Sequence, residues 1–289
     1  MPRLQIFDRI EPPKAQAKLA VNQVASWYTW SPEFRSVIRD LGPWMCQLGE
    51  PKLVRIRGLK DYDYTFASPA AVPEVMRPFI RSLCEIKRPR GIMLFTRLLN
   101  RRLDSFILRR LFALLRRGIA EHLCDERFSL YAPLSNTGKH AGDFALHADL
   151  YLPELLFNVF ELVPGDSTGA STFLSTAELA RILRKIPSIP KNIARRIKEC
   201  LTKPTDKDRF DEFFDLLHGP DQPWASELSR HLAQREMTIK FSPGQGYLLH
   251  DRTWLHGRKA ATGGVPVRRV HRLVFNTTFI QRRRRVPAI

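Results

Sequence analysis

Residues 155–163 constrain the fold more than any other segment of the sequence. They read Leu-Leu-Phe-Asn-Val-Phe-Glu-Leu-Val, an almost unbroken apolar run, and Pro164, Gly165 and Asp166 follow directly. A short apolar run that ends in turn-forming residues is typical of a buried strand. The rest of the chain therefore has to supply strands that pair with this one.

Further strand patterns lie on both sides of a helical stretch. Apolar and polar residues alternate at 144–151, and strand character returns at 237–241 and, beyond a Ser-Pro-Gly-Gln-Gly turn, at 247–249 and 268–276. Between these groups, residues from about 176 to 234 have a helical pattern, with Ser175 or Thr176 suited to cap the first helix. We interpret this stretch as a helical insertion between two groups of strands.

The first 125 residues read as mainly helical. Apolar residues recur there at three- and four-residue steps, as in Leu99, Leu103, Phe106, Ile107, Leu111, Leu114 and Leu115. Helices followed by strands on either side of an insertion favour a jelly roll over a doubly wound sheet. We therefore predict an α+β fold in a single domain (1–289), with an N-terminal helical part (1–125), a double-stranded β-helix core (126–281) that carries the insertion, and a basic tail (282–289).

The charge of the chain points to an anionic partner. The formal net charge is +18 and the isoelectric point is about 10.3, so the surface carries a strong positive field at neutral pH. The cysteines Cys46, Cys84, Cys124 and Cys200 lack paired spacing, which argues against a disulfide framework and against a thiolate zinc site. The N-terminus also lacks a signal-peptide pattern, and we expect a cytoplasmic location.

The most apolar region, 92–119, has too many arginines to span a bilayer. Within it, residues 97–117 form a helix pattern with one apolar and one basic face. Such a helix can lie in an anionic membrane interface, or it can pack on the core with a solvated basic face. The first interpretation predicts a protein associated peripherally with the inner face of the inner membrane.

His147 and Asp149 form a His-x-Asp pair in the alternating segment at 144–151. Residues two apart in a strand point to the same face, so this strand can offer an imidazole and a carboxylate to one metal ion. Two histidines and one carboxylate leave three adjacent positions open on iron(II). The pair alone also fits a hydrogen-bonded core histidine beside a loop aspartate, so the context decides between the two.

His256 is the predicted third ligand, and His250 is the competing one. His256 begins a His-Gly-Arg triplet after a strand and a turn, and the next strand carries Arg268, Arg269 and Arg272. Guanidinium groups bind carboxylates through paired hydrogen bonds, so such a strand suits a dicarboxylate that shares the iron. This neighbourhood favours His256.

These residues resemble the Fe(II)/2-oxoglutarate-dependent dioxygenase superfamily, nearest to its taurine-dioxygenase and clavaminate-synthase-like branch, over about 144–279. In that branch a Gly-rich turn and a threonine that contacts the co-substrate follow the His-x-Asp strand, which is similar to Ser-Thr-Gly-Ala-Ser-Thr at 167–172. The branch also spaces two arginines after the distal histidine as Arg268 and Arg272 are spaced here. Ala170 departs from the pattern, because the branch has glycine there.

The resemblance implies cofactors and roles. Fe(II) held by the three predicted ligands would use O2 and the co-substrate 2-oxoglutarate to hydroxylate an unactivated C–H bond. Thr172 and Arg268 would bind 2-oxoglutarate, with Arg268 at the C5 carboxylate. Arg272 would support that contact or touch the substrate.

Three further side chains are candidates near this site. Asn158 either faces the pocket, where it would bind substrate or oxo acid, or is a satisfied amide in the core. Arg258, which follows His256 and a glycine, is a candidate substrate contact. Arg269 points away from Arg268 and Arg272 in a regular strand and is then a solvated or interface charge, although a bulge would reverse this.

The chain also resembles the Kdo 3-hydroxylases, which hydroxylate the 3-deoxy-D-manno-octulosonic acid (Kdo) sugar of the lipopolysaccharide inner core. That sugar is a carboxylate on a phosphorylated lipid, so Kdo-lipid A would suit the positive charge. The alternatives are a nucleic-acid or small-molecule oxygenase and a non-catalytic jelly-roll binding protein. No recognisable nucleic-acid module accompanies the strands, and the basic residues lie among aliphatic more than stacking aromatic side chains.

Overall fold

A computed structural model describes residues 4–12, 25–56, 64–86, 91–96, 105–136, 144–149, 155–162, 170–202, 207–260 and 268–276. In these ranges the strands are β1 (Phe7–Ile10), β2 (Ala25–Trp30), β3 (Lys52–Arg55), β4 (Tyr64–Ala67), β5 (Ile92–Phe95), β6 (Ser129–Asn136), β7 (Phe144–His147), β8 (Leu155–Leu162), β9 (Ser171–Ser175), β10 (Met237–Ile239), β11 (Gly246–His250), β12 (Trp254–Arg258) and β13 (Arg268–Phe275). The α-helices are α1 (Pro32–Gln47), α2 (Arg77–Cys84), α3 (Ser105–Leu123), α4 (Thr176–Lys185), α5 (Lys191–Thr202), α6 (Lys207–His218) and α7 (Ala225–Arg235).

Most strands belong to two sheets. The larger sheet has seven strands in the order β1-β2-β5-β11-β8-β13-β6, and its neighbours are antiparallel except for the parallel pair β2 and β5. The smaller sheet has four antiparallel strands in the order β10-β9-β12-β7. β3 and β4 form a separate hairpin. The fold is thus a mixed α/β arrangement built on a large sheet.

The two sheets pack face to face over an apolar layer. Buried residues from both sheets make up this layer, among them Trp27, Leu94, Leu156, Phe160, Phe173, Met237, Tyr247 and Trp254. Two sheets joined by such a layer have their inner faces about 10 Å apart. Side chains that point into this layer from either sheet can therefore meet.

β8 lies between β11 and β13 in the larger sheet, and its side chains from Leu155 to Phe160 are buried. Leu155, Phe157 and Val159 pack with the N-terminal helices, whereas Leu156 and Phe160 pack between the sheets. Neighbouring residues enter different cores because successive side chains of a strand point to opposite faces. This arrangement confirms the predicted buried strand and explains why its sequence is apolar at almost every position.

The region before residue 125 contributes strands as well as helices. β1, β2 and β5 from this region form one edge of the larger sheet. The sequence pattern predicted a mainly helical region and did not indicate these strands. Runs of four to six residues, the length of these strands, are too short for their periodicity to separate strand from helix.

α3 packs on the larger sheet with its apolar residues buried, among them Leu108, Leu111, Phe112, Leu115 and Ile119. For residues 105–123, the structure therefore agrees with the core-packing interpretation of the basic helix; residues 97–104 of that pattern lie outside the described part. No helix of the described part is long and apolar enough to cross a bilayer.

Two arginines of α3 are buried rather than solvated. Arg110 is 2% exposed, donates hydrogen bonds to the Leu48 carbonyl, and lies 3.1 Å from the ring centroid of Phe106. Arg116 is 3% exposed and donates to the Ser129 carbonyl. The expectation of a fully solvated basic face is wrong at these two positions, because backbone carbonyls satisfy the buried guanidinium groups.

The helices α4 to α7 cover the outer face of the smaller sheet. Leu146, Leu174 and Leu255 of that sheet share a buried cluster with residues of all four helices. The Ser175 hydroxyl accepts a hydrogen bond from the Glu178 N–H at 3.1 Å, which makes Ser175 the N-cap of α4. These helices occupy the stretch for which the sequence predicts a helical insertion.

A buried chain of polar side chains joins three strands on the helix side of the larger sheet. The Tyr131 hydroxyl and His271 Nδ1 are 2.8 Å apart, and His271 Nε2 and Glu161 Oε2 are also 2.8 Å apart. A neutral His271 with its proton on Nε2 satisfies both partners. Burial lowers the pKa of His271 despite the nearby Glu161 carboxylate, which keeps the ring neutral.

We expect the free energy of unfolding of the metal-free protein to fall as the pH drops below about 6.5. Burial lowers the pKa of His147, His218 and His271. A histidine with a lowered folded-state pKa stabilises the fold fully above its unfolded-state pKa and loses that contribution as the pH falls towards the folded-state value. Urea unfolding at about pH 7.5 and about pH 5.5 measures the difference. His271→Gln should reduce the dependence by up to about 1.4 kcal/mol per pH unit, and equal stability of the wild-type protein at both pH values would contradict the prediction.

Candidate metal centre

The structure brings His147, Asp149 and His256 together. His147 on β7 lies directly opposite His256 on β12 in the smaller sheet, and the two ring centroids are 4.3 Å apart. Asp149 follows β7 after one residue. One potential ligand atom from each of the three side chains lies within 4.8 Å of the other two. Among the described residues, these three form a group that could hold a metal ion.

Both imidazoles direct a nitrogen towards the same carboxylate. His147 Nε2 lies 3.4 Å from Asp149 Oδ1, and His256 Nε2 lies 3.7 Å from Asp149 Oδ2. His147 Nδ1 is 2.9 Å from the Ala145 carbonyl, to which it can only donate. The proton therefore sits on Nδ1 and leaves the Nε2 lone pair directed into the group.

The donor set fits a metal ion. His256 is 3% exposed, and its buried Nε2 has no hydrogen-bond partner among the described residues. The carboxylates of Asp149 and Asp251 lie 3.7 Å and 3.3 Å from it without hydrogen-bond geometry. A buried nitrogen left without a partner costs about 1–3 kcal/mol, and a metal ion bound to its lone pair would remove that cost.

The charges around Asp149 keep its carboxylate ionised. Burial alone would raise the pKa of Asp149, but Arg272, His256 and His147 together outweigh burial and hold the pKa below its usual range. Arg272 Nη1 lies 3.0 Å from Asp149 Oδ2. Burial, and then the neighbouring His256, lowers the pKa of His147. An ionised carboxylate and a neutral imidazole are the protonation states that bind a metal.

Thr172 lies on the opposite face of the smaller sheet from the two histidines. It pairs with Gly257, and a Cβ atom added to Gly257 would lie 2.7 Å from the Thr172 hydroxyl oxygen. Leu174 and Leu255, which alternate with Thr172 and Gly257 along the same strands, pack against the helices. The Thr172 side chain therefore points towards the helical insertion, and the co-substrate contact predicted for it does not agree with this register.

Ser171 lies on the face of the smaller sheet that carries His256. It alternates with Thr172 along β9, shares its face with Phe173 between the sheets, and pairs with Arg258 on β12. The sequence offers two adjacent hydroxyls here, and a shift of one residue exchanges their faces. The pattern alone could not decide between them.

Arg272 and Asn158 form part of a polar row on the inner face of the larger sheet. Asn158 on β8 pairs with Arg272 on β13 and with Tyr247 on β11. Asn158 is 2% exposed and donates to the Tyr247 hydroxyl at 2.5 Å, and its Oδ1 has no partner among the described residues. The amide is therefore half-satisfied next to the arginine that holds Asp149, which favours the pocket-facing interpretation.

The remaining candidates lie as follows. Arg268 is the first residue of β13, and its side chain is outside the described part. Arg269 lies 3.5 Å from Glu161, which also contacts His271, so Arg269 occupies the helix-facing side as a regular strand predicts. The register irregularity against β8 does not reverse this orientation. Arg258 is half-buried on β12, two residues beyond His256.

His250 does not join the group. It ends β11 and alternates with Leu249, which packs between the sheets, so its side chain leaves the opposite face of the larger sheet. Its Nδ1 accepts a hydrogen bond from the Arg252 N–H at 3.3 Å. The preference for His256 over His250 agrees with this placement.

Asp251 is a site residue that the sequence analysis missed. It is 2% exposed, and its Oδ1 accepts a hydrogen bond from the Asp149 N–H at 3.0 Å while lying 3.3 Å from His256 Nε2. One carboxylate oxygen thus lies close to two of the three grouped residues. An aspartate in a turn carries no pattern that reveals such contacts, because they depend on a residue about a hundred positions away.

Comparisons with known proteins found likeness in structure alone. No family model matches the sequence, and no curated protein matches it. Solved structures with a similar fold include asparagine oxygenase (AsnO; 11% identity, 90% of this chain and 96% of that chain, TM-score 0.47), asparagine oxygenase in complex with Fe(II), 2S,3S-3-hydroxyasparagine and succinate (13%, 75% and 83%, 0.40), and PvcB from Pseudomonas aeruginosa (15%, 78% and 91%, 0.38). Likeness at this level says nothing about activity, so function is inferred from the residues of the site.

We expect Asp251→Ala to weaken metal binding by about 10- to 100-fold, as changes to residues that orient metal ligands typically do. Asp251→Asn keeps an oxygen acceptor for the Asp149 N–H and should lose less affinity. Titration of the metal-free protein with Co²⁺, followed by visible absorption, measures the effect. Asp211→Ala, at an exposed aspartate outside the group, is the matched control, and equal affinities in all four proteins would contradict the role of Asp251.

Proposed function

We propose that the chain is an Fe(II)- and 2-oxoglutarate-dependent oxygenase that hydroxylates a C–H bond. The group of His147, Asp149 and His256 carries this proposal. It offers two imidazole nitrogens and one ionised carboxylate, the donor set that suits iron(II) in oxygenases. Iron(II) held by these three residues would supply oxygenase chemistry together with an oxo acid and O2.

We also propose a finer description of the fold. The two face-to-face sheets would be the two halves of a double-stranded β-helix, the jelly-roll core predicted from the sequence. The antiparallel order of the smaller sheet and its apolar contact with the larger sheet support this description. The metal group would then lie inside the roll, where both sheets contribute side chains.

The 2-oxoglutarate subsite would lie between the polar row of the larger sheet and the metal ligands. Arg272 already holds Asp149, and its guanidinium carries five N–H donors in all, so it can bind an oxo-acid carboxylate as well. Asn158 next to it supplies an amide, and Ser171 replaces Thr172 as the hydroxyl on the metal's face. Arg268 remains the proposed partner of the C5 carboxylate.

Each group has a defined task in this proposal. Iron and 2-oxoglutarate, when bound, would supply the oxidising power, with O2 consumed and succinate and carbon dioxide released. His147 and His256 hold the ion from one sheet, and Asp251 fixes the backbone at Asp149. Arg272 keeps the Asp149 carboxylate ionised, and the apolar layer between the sheets excludes water from the pocket.

Iron-dependent release of succinate from 2-oxoglutarate tests the proposed activity. We expect His256→Ala and Asp149→Ala to lower the rate at least about a hundredfold, because each removes a ligand. His231→Ala removes a half-exposed histidine of α7 and should keep the wild-type rate. Arg272→Met should raise the KM for 2-oxoglutarate by about tenfold or more, since it removes charge-assisted hydrogen bonds. Metal binding that survives both ligand substitutions would refute the proposed centre.

For the substrate we propose an anionic glycolipid, the Kdo sugar of Kdo-lipid A, met at the inner face of the inner membrane. The net charge of +18 and the resemblance to Kdo 3-hydroxylases support this substrate. Arg258 supports it further, because this half-buried cation lies two residues beyond His256 on the same strand. The guanidinium group would bind the Kdo carboxylate through paired hydrogen bonds.

Mass spectrometry of Kdo-lipid A after incubation with the iron-loaded protein, 2-oxoglutarate and O2 tests the substrate. We expect one added oxygen atom in the Kdo residue, and a lower yield with Arg258→Gln because the carboxylate loses its partner. Succinate release measured in the same reactions separates two failures. Succinate without oxidised Kdo would refute the substrate alone, whereas the absence of both products would count against the oxygenase.

A further inference from the structure

A groove lies between α4, α5 and the turn that follows β11. It has a volume of about 630 Å³, within the range of about 300–1,000 Å³ that is usual for small-molecule sites. Its floor is apolar and consists of Leu179, Leu183, Ala194, Ile197 and Leu201. The groove lies on the helical side of the smaller sheet, whereas the metal ligands lie on the other side.

Four cationic side chains surround this floor: Arg184, Arg195, Lys198 and Arg252. None of them has a carboxylate partner in the described part of the chain, and none of the residues that line the groove is acidic. Arg184 and Arg252 are held in place by hydrogen bonds to the Ala180 and Thr202 carbonyls. No carboxylate in the described part of the chain therefore neutralises the positive charge over the groove.

Helical spacing separates the apolar and basic parts of the groove. On α5, Ala194, Ile197 and Leu201 follow one another at three- and four-residue steps, which places them along one stripe. Arg195 and Lys198 form the neighbouring stripe, one residue further around the helix. A ligand in the groove would meet apolar carbon along its length and cations along its edge.

Small side chains keep the groove open. Ala180 on α4 and Ala194 on α5 line it at positions where larger residues would fill it. Leu179 and Ile197 are each 1% exposed, so the floor belongs to the packed core beneath. The groove thus has a packed apolar base, and two small alanines are among the residues that line it.

We propose that this groove binds one molecule of an anionic amphiphile. Its alkyl chain lies along the apolar floor, where burial of apolar surface favours binding, and its phosphate or carboxylate head group pairs with Arg195 and Lys198. None of the described residues that line the groove is aromatic, so none offers a ring on which a nucleic-acid base could stack, and the four cations at its edge favour an anion over a neutral apolar ligand. The site is separate from the metal centre and does not depend on the proposed oxygenase activity.

Calorimetric titration of the full-length protein with dodecyl phosphate, below its micelle concentration, tests the site. We expect one molecule bound per chain, and weaker binding of dodecanol by at least about tenfold, because the neutral compound lacks the charge-assisted contacts. Ala180→Phe fills the groove without changing charge and should abolish binding. Lys198→Glu reverses one charge at the edge and should weaken binding by about tenfold or more.

Lys191→Glu is the matched control. It makes the same change of charge on the same helix, at an exposed position that does not line the groove, and it should bind dodecyl phosphate as the wild-type protein does. Far-UV circular dichroism and thermal unfolding verify that each variant is folded. Equal weakening by Lys191→Glu and Lys198→Glu, or no saturable binding to the wild-type protein, would overturn the proposal.

Vesicles that contain an anionic phospholipid test whether an anionic amphiphile binds in the groove or at the positive surface of the protein in general. The proposal expects Ala180→Phe to lose dodecyl phosphate binding. If Ala180→Phe keeps dodecyl phosphate binding at more than one molecule per chain and still binds the vesicles, the positive surface and not the groove is responsible. That result would overturn the assignment of the groove.

Discussion

The pairing of β7 with β12 is the constraint on which the rest of the candidate site depends. This pairing sets His147 opposite His256, and a shift of one residue would turn one imidazole away from the other, because side chains alternate between the faces of a strand. The smaller sheet is covered on both faces, by the larger sheet and by the helical insertion, so such a shift would bury polar residues in an apolar layer. Gly257 permits the close approach of β7 and β12, since a Cβ there would lie 2.7 Å from the Phe144 carbonyl oxygen.

Charged contacts then fix Asp149 beside the two histidines that the strand pairing brings together. Arg272 reaches from the larger sheet to Asp149 beside the smaller one, and their ion pair of 3.0 Å ties the two sheets at the metal group. Asp251 holds the backbone of Asp149 from a third direction. The carboxylate is therefore ionised and oriented before any metal binds, so little reorganisation is needed to form the centre. These contacts link the packing of the sheets to the chemistry that the site can support.

Local patterns predicted the features that depend on one segment. The almost unbroken apolar run predicted the buried strand β8, and His-x-Asp with a distal histidine indicated residues that the structure brings together. Local patterns did not predict the features that are set by contacts between distant segments. Thr172 and Ser171 differ in face only through the register of β9 against β12, and Arg110 and Arg116 are buried because distant carbonyls accept their hydrogen bonds. Asp251 likewise belongs to the site only because it accepts a hydrogen bond from the distant Asp149 N–H.

We propose that His147, Asp149 and His256 hold an iron(II) ion to which 2-oxoglutarate binds. Anaerobic calorimetric titration of 2-oxoglutarate into the protein, with and without one equivalent of Fe(II), tests it most directly. We expect saturable binding of one 2-oxoglutarate per chain with iron present, and binding weaker by at least about a hundredfold without it, because two of the ligand's oxygens would then lack their partner. Equal affinity in the presence and absence of iron, or no binding in either case, would contradict it.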